Sequence, residues 1–425
     1  MSPEAAARKS ETFPALNGLR FFAVFAVVIF HYAPRVDVYT RLGAFGKNLI
    51  DQGPCAVSFF FILSGFLLGY RHLAGALRKE DASDFYWSRF VRLYPVYLLA
   101  FLLFLPVAVQ RYLLTPQPAA AGQHTFLFSA VLSCLMLQSW TPLAQAWNGP
   151  SWSLSVEAFL YFIFPFVAFR VSKLSRFQAA ILFAGSWLVP SGLAIAYAGR
   201  WIPDRTWQLY VTNDPLLWTP LFLMGICASR MIPAWKNLPA RSAQLISAVG
   251  CLALILVCLF WPHKWSDVFV TGGIAPMLAA IILFCTRPSC WIGKVLGTRS
   301  LNKLGEASYA VYILQAPLWH YWQPFTNYLR HAPLQTNVVA LWQFVGFVMF
   351  LVLASMGAQR FVEVPARAAL GDWRARNFKR PAHQHSETAQ PPAQFPDIVP
   401  ALVPAPYPGE SEQLLACGPA AAIES

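Results

Sequence analysis

The chain has 425 residues, 57% hydrophobic and only 12% charged, with a mean hydropathy of +0.47. A soluble globular domain carries about 25% charged residues, so the composition excludes one and fits a polytopic membrane protein. The net charge of +13 would suggest nucleic acid in a soluble protein. Here the basic residues gather in short loops between apolar runs, which speaks for membrane orientation and against a nucleic-acid partner.

In chain order the apolar runs fall near 16–34, 55–70, 93–110, 125–140, 152–170, 177–198, 215–230, 243–261, 268–286, 307–323 and 337–358. The first is followed by no A-x-A-like cleavage site and is expected to stay. The basic loops are 71–92, 170–176, 230–241 and 287–303, joined by Arg8, Lys9 and the tail after Arg360. If all are cytoplasmic, the chain crosses an even number of times between 92 and 170, yet three runs lie there. The run 125–140 is the shortest of the three and has uncharged flanks, so it is predicted to be re-entrant or interfacial. The alternative is that it spans and one basic loop faces outward. The fold expected is all-α, a polytopic integral membrane bundle of about ten transmembrane helices with both termini cytoplasmic. Residues 1–12 form the amino terminus, 13–368 the transmembrane domain, and 369–425 a Pro/Ala-rich tail expected to be disordered. The eight scattered cysteines show no CxxC or His/Cys spacing, so neither a disulfide framework nor a metal is expected.

Ionisable residues inside apolar runs are functional candidates, because each costs roughly 2.5–3.5 kcal/mol at mid-bilayer unless paired. In "LRFFAVFAVVIFHY" Arg20 and His31 are eleven residues apart. That spacing puts both on one side of a helix, about 16 Å apart along its axis. Snorkelling to the two interfaces is the plainer account of the pair. In "FFFILSGFLLGY" Ser64 and Gly65 read as a close helix contact, with Ser64 as a candidate to line a cavity. In "SRFVRLYPVYL" Arg89 and Arg92 share a helix face and could clamp phosphates, although ordinary loop charges would look the same. "NGPSWSLSVEAFLYF" opens with a turn, offers Ser151 as a helix cap and sets Ser153 and Glu157 four residues apart. By this topology Glu157 lies at the depth of His31, and a carboxylate beside an imidazole would raise its basicity. A protonated Glu157 in a helix–helix bond is the structural alternative. His320 is a fourth ionisable residue within a span.

These blocks, in this order, resemble the membrane-bound acyltransferase-3 family, whose bacterial members O-acylate surface polysaccharides and some antibiotics. The resemblance rests on "LNGLRFFAVFAVVIFHY", "FFFILSGFLL", "SRFVRLYPVY", "SWSLSVEAFLYFIFP", "LGEASYAVYILQAPLW" and "FVEVPAR", and covers roughly 13–368. It implies a cytoplasmic acyl-CoA donor, with acetyl-CoA as the default, and an acceptor outside. It carries the family's functional histidine and arginine onto His31 and Arg20, and its arginine pair onto Arg89 and Arg92. Two departures stand out. Asn17 replaces the usual aspartate before Gly18-Leu19-Arg20, and Gln315 replaces a usual histidine, for which His320, at a different spacing, is the candidate substitute.

The mechanism expected from these readings has acyl-CoA phosphates on Arg89, Arg92 and Arg20, and the thioester near His31. Glu157 would orient His31, and Ser153 or Ser155 would donate to the oxyanion. With Trp152 and Ser64, these serines are the expected substrate- or pore-lining residues. The expected acceptor is a polysaccharide or lipid-linked glycan at a bacterial inner membrane, with membrane lipids and polysaccharide-assembly proteins as partners. The alternatives are a small hydrophobic acceptor such as a macrolide, or a flippase for a lipid-linked saccharide.

Overall fold

The structure, a computed structural model, describes residues 12–73, 82–114, 119–198, 213–260, 272–287, 290–329, 331 and 339–378. The chain divides into two units, Met1–Lys379 and Arg380–Ser425. The described residues lie in the first, and the tail's expected disorder from 379 onward falls outside them.

Sixteen α-helices occupy the described residues: α1 Pro14–Tyr32, α2 Ala44–Asp51, α3 Cys55–His72, α4 Ala82–Val109, α5 Ala119–Cys134, α6 Trp152–Ser172, α7 Arg176–Ala198 and α8 Pro215–Ser229, then α9 Ile232–Lys236, α10 Ala240–Phe260, α11 Ala275–Cys285, α12 Trp291–Leu296, α13 Arg299–Glu306, α14 Ser308–Leu329, α15 Leu341–Ala358 and α16 Val364–Asn377. Among these residues there is no strand, only an isolated bridge between Val36 and Val339. Helices satisfy every backbone group internally, as an apolar solvent demands. Six helical segments are long and apolar enough to cross a membrane: Pro14–Arg35, Ala44–His72, Ala82–Leu114, Gly149–Ser172, Ala240–Phe260 and Leu341–Asn377. The last runs across the boundary expected at 368.

Side-chain bonds fix the helix directions. Tyr309 Oη donates to Leu93 O at 2.6 Å and Tyr321 Oη to Leu103 O at 2.7 Å, so α14 runs parallel to α4. Tyr32 packs on Trp319 with ring centroids 4.4 Å apart, which aligns α1 with the same pair. The helix α6 runs the other way, since Ser153 reaches Tyr312 at one end and Tyr161 reaches Arg89 at the other. The helices α3 and α8 cross where Gly65 faces the backbone of Phe222 and Gly225 that of Ile62; a Cβ at either would enter the partner's main chain. Leu245, Val249, Leu252 and Leu256 of α10 are exposed, as lipid-facing side chains are.

The segment 125–140 is not one continuous helix. After α5 the chain reverses at Met136, with φ 57°. The reversal is held inside the bundle, where Ser133 O accepts from Tyr97 at 2.5 Å and Met136 O accepts from Ser155 at 2.6 Å.

Candidate active site

Helices α1 and α14 bring His31 and Gln315 together. His31 Nδ1 lies 3.0 Å from Gln315 Oε1, and Gln315 Nε2 donates to Tyr312 O at 2.8 Å. A backbone carbonyl only accepts, so it fixes which end of the amide is nitrogen and turns the oxygen toward the ring. Nδ1 therefore carries the proton, and Nε2 keeps the lone pair that a base or nucleophile needs. Gln315 is fully buried, whereas His31 retains accessible surface.

At the opposite end of these helices, Arg20 has Arg92, Tyr161, Glu157 and Arg71 as its electrostatic neighbours. Arg89 has Tyr161, Arg92 and Arg71. Its guanidinium carbon lies 5.7 Å from the Phe85 ring centroid and 5.8 Å from that of Tyr161. Four guanidiniums from α1, α3 and α4 thus gather as neighbours of one another, with Glu157 beside Arg20. Glu157 Oε1 accepts from Ser64 Oγ at 3.0 Å and from the Tyr161 hydroxyl. A second carboxylate, Glu363, comes within reach of Arg92 but is paired with Arg367 at 2.5 Å. Excess positive charge in an apolar bundle is costly unless an anion joins it. The four arginines are half-buried.

The start of α1 is anchored so that Arg20 points into this cluster. Asn17 Nδ2 donates to Asn302 Oδ1 and Asn302 Nδ2 to Glu306 Oε1, both at 2.9 Å. Gly18 lies against Leu296 O, and Gly305 against Asn17 O, too closely for a Cβ on either. Burial raises the Glu306 carboxyl above its usual range, opposed by the Asn302 bond and Lys303. The departure from aspartate at residue 17 thus serves a hydrogen bond between helices.

Several expected roles change. The expected Glu157–His31 pair is replaced by two separate pairings, His31 with Gln315 and Glu157 with Ser64 and Tyr161. Ser155 donates to Met136 O, and Ser153 lies 3.0 Å from Pro150 O and 2.8 Å from the Tyr312 hydroxyl. Both hydroxyls are thus committed to structure rather than free for an oxyanion. Trp152 packs on Trp218 with centroids 5.4 Å apart. Ser151 occupies the N-cap position of α6 without a capping bond, its hydroxyl donating to Asn148 O. His320 packs on Phe104 rather than replacing Gln315 as a partner of His31.

Sequence reasoning missed three members. Arg71 reads as one more basic loop residue, and Tyr161 is one aromatic among many. Gln315 was visible only as a departure from the family pattern. Tyr161 does lie one turn from Glu157 in the same block, a usable signal. Among the described residues no group of three His, Cys, Asp or Glu could hold a metal ion.

An acyltransferase domain family matches residues 13–358. The acyltransferase MdmB of Streptomyces mycarofaciens is 35% identical over 325 residues, 71% of this chain and 77% of that protein. A candidate peptidoglycan O-acetyltransferase of Bacillus subtilis, YrhL, is 26% identical over 83% of this chain and 55% of its own length. A candidate O-acetyltransferase of Staphylococcus aureus, SACOL0978, is 22% identical over 85% of this chain and 58% of its own. The chain therefore spans little more than half the length of the latter two. No solved structure matches.

Proposed function

This chain belongs to the acyltransferase-3 family, and from that premise we propose that it carries an acyl group from acyl-CoA, acetyl-CoA by default, across a bacterial inner membrane. The receiving group is a hydroxyl of a polysaccharide or lipid-linked glycan. The supporting observation is the bipolar layout of α1. An arginine cluster gathers around one end, and an imidazole with a free Nε2 stands about 16 Å further along.

The charges suit the donor. Coenzyme A carries a diphosphate and a ribose phosphate, and Arg20, Arg71, Arg89 and Arg92 offer planar forks for such oxyanions. Glu157, bonded by Ser64 and Tyr161, keeps the cluster from carrying all four charges unbalanced. In the finer topology proposed here, of about ten crossings with both termini cytoplasmic, the arginine pole faces the cytoplasm and His31 the outer half. The pantetheine arm spans the distance between them.

His31 Nε2 removes the acceptor's hydroxyl proton as that oxygen attacks the thioester carbon. The C–O bond forms, the C–S bond breaks, and the imidazolium returns the proton to the departing CoA sulfur. The same lone pair would serve if His31 took the acyl group first. With purified protein and labelled acetyl-CoA, the expected result is acceptor-dependent release of free CoA that His31→Ala abolishes. Substrate movement without CoA would instead favour a flippase. Transfer to a macrolide but to no glycan would select the small-acceptor alternative.

A further inference from the structure

Beyond His31, at the end of the bundle away from the arginine cluster, stands a second cationic group. Arg35 lies one turn past His31, donating to His31 O at 3.3 Å. Its guanidinium carbon is 5.6 Å from the Tyr32 ring centroid and 5.9 Å from that of Trp319. Next along α14 is His320, whose ring centroid is 5.3 Å from that of Phe104. The Arg111 guanidinium carbon lies 5.9 Å from the same Phe104 ring, and its Nη1 donates to Ala146 O at 3.3 Å. Arg35 is an electrostatic neighbour of both His31 and His320, and His320 also of Arg111. Two guanidiniums and an imidazole, from three elements, thus neighbour one another at this end of the bundle. All three side chains are exposed, and among the described residues neither arginine forms an ion pair. Asp37, the carboxylate nearest in sequence, is not bonded to Arg35.

We propose that Arg35, Arg111 and His320 form an acceptor subsite for an oxyanion, so that the hydroxyl acylated at His31 belongs to an anionic glycan. This rests on the transferase reading and narrows its acceptor. Arg35 lies about one helical turn past His31, and His320 about one and a half past its partner Gln315, the reach of a sugar or two between the reacting hydroxyl and a carboxylate or phosphate on the guanidiniums. Guanidiniums placed on aromatic faces are oriented before ligand arrives, and an oxyanion supplies the partner the protein does not. The same cations repel an amine-bearing acceptor, which gives the site a basis for discrimination.

The test uses cells producing the full chain, with glycans fractionated by anion exchange and acyl groups identified by mass spectrometry. The acylated product is expected in the retained, anionic fraction. It should fall about tenfold or more in Arg35→Gln/Arg111→Gln at equal folded protein, as judged by size exclusion, and recover substantially in Arg35→Lys/Arg111→Lys. Phosphatase treatment and carboxyl reduction show which oxyanion holds the product on the exchanger. A neutral acylated product overturns the inference alone, as does an anionic product that persists at parental level in the Gln variant. So does a defect that, in proteoliposomes, needs phosphatidylglycerol and vanishes in phosphatidylcholine, since the arginines then serve lipid headgroups. If no acylated product depends on the protein, the transferase reading falls and the inference with it.

Discussion

Gln315 turns its carbonyl oxygen toward His31 Nδ1 at 3.0 Å and is held there by its own amide bond to Tyr312 O. Position 315, a departure from the family pattern, is thereby the one that sets the tautomer of the candidate base. Removing that bond leaves His31 present but free to turn or to protonate on the wrong nitrogen. Gln315→Ala is expected to lower kcat about tenfold, the worth of roughly one hydrogen bond, with the donor KM little changed. His31→Ala is expected to cost about 100-fold or more. Steady-state kinetics in detergent with acetyl-CoA as the varied substrate separate the two. Equal losses in both variants would make Gln315 a partner in the chemistry rather than its guide.

Arg71 was unremarked among loop charges, yet it is an electrostatic neighbour of both Arg20 and Arg89. Arg71→Gln should raise the donor KM roughly tenfold while leaving kcat within about threefold, since a charge-assisted bond is worth about 1.5–3 kcal/mol. Isothermal titration with a non-transferable CoA thioether gives the binding change directly. Unaltered affinity would remove Arg71 from the donor site.

The two bonds that Glu157 accepts predict different costs for two replacements. Glu157→Gln keeps an acceptor for Ser64 and Tyr161 and should retain turnover within about tenfold. Both replacements remove the carboxylate charge, but Glu157→Leu also strands both hydroxyls, so folded yield should fall sharply in that variant alone. Fluorescence size exclusion after graded heating reads the second effect. Should Glu157→Gln prove as inactive as His31→Ala, the carboxylate would have a direct catalytic role.

The crossing of α3 and α8 is predicted to be intolerant of side chains. Gly225→Val forces a Cβ into Ile62 O and should destabilise the bundle by about 1–3 kcal/mol or more. Gly371→Ala, where a Cβ meets open space, serves as the control and should leave the melting temperature unchanged or slightly raised.

Hydropathy and the placement of Lys and Arg made the helical membrane class legible, because lipid leaves the backbone few other solutions. The same signals set 125–140 apart from the other runs, and there the chain turns at Met136. The ionisable residues in apolar runs were equally readable as candidates, from the cost of burying charge. Partnership was not readable. Glu157 and His31 occupy similar depths by counting residues, but hydrogen bonds depend on which faces of which helices meet, and linear spacing is silent on that. Tertiary packing alone set Gln315 beside His31, gave Glu157 to Ser64 and Tyr161, and brought Arg71 from a loop charge into the cluster. The sequence by itself determined which side chains are too costly to lie in lipid without a purpose. The tertiary structure decided which of them share that cost, because pairing energy falls off within a few ångströms and only helix contacts fix distances on that scale.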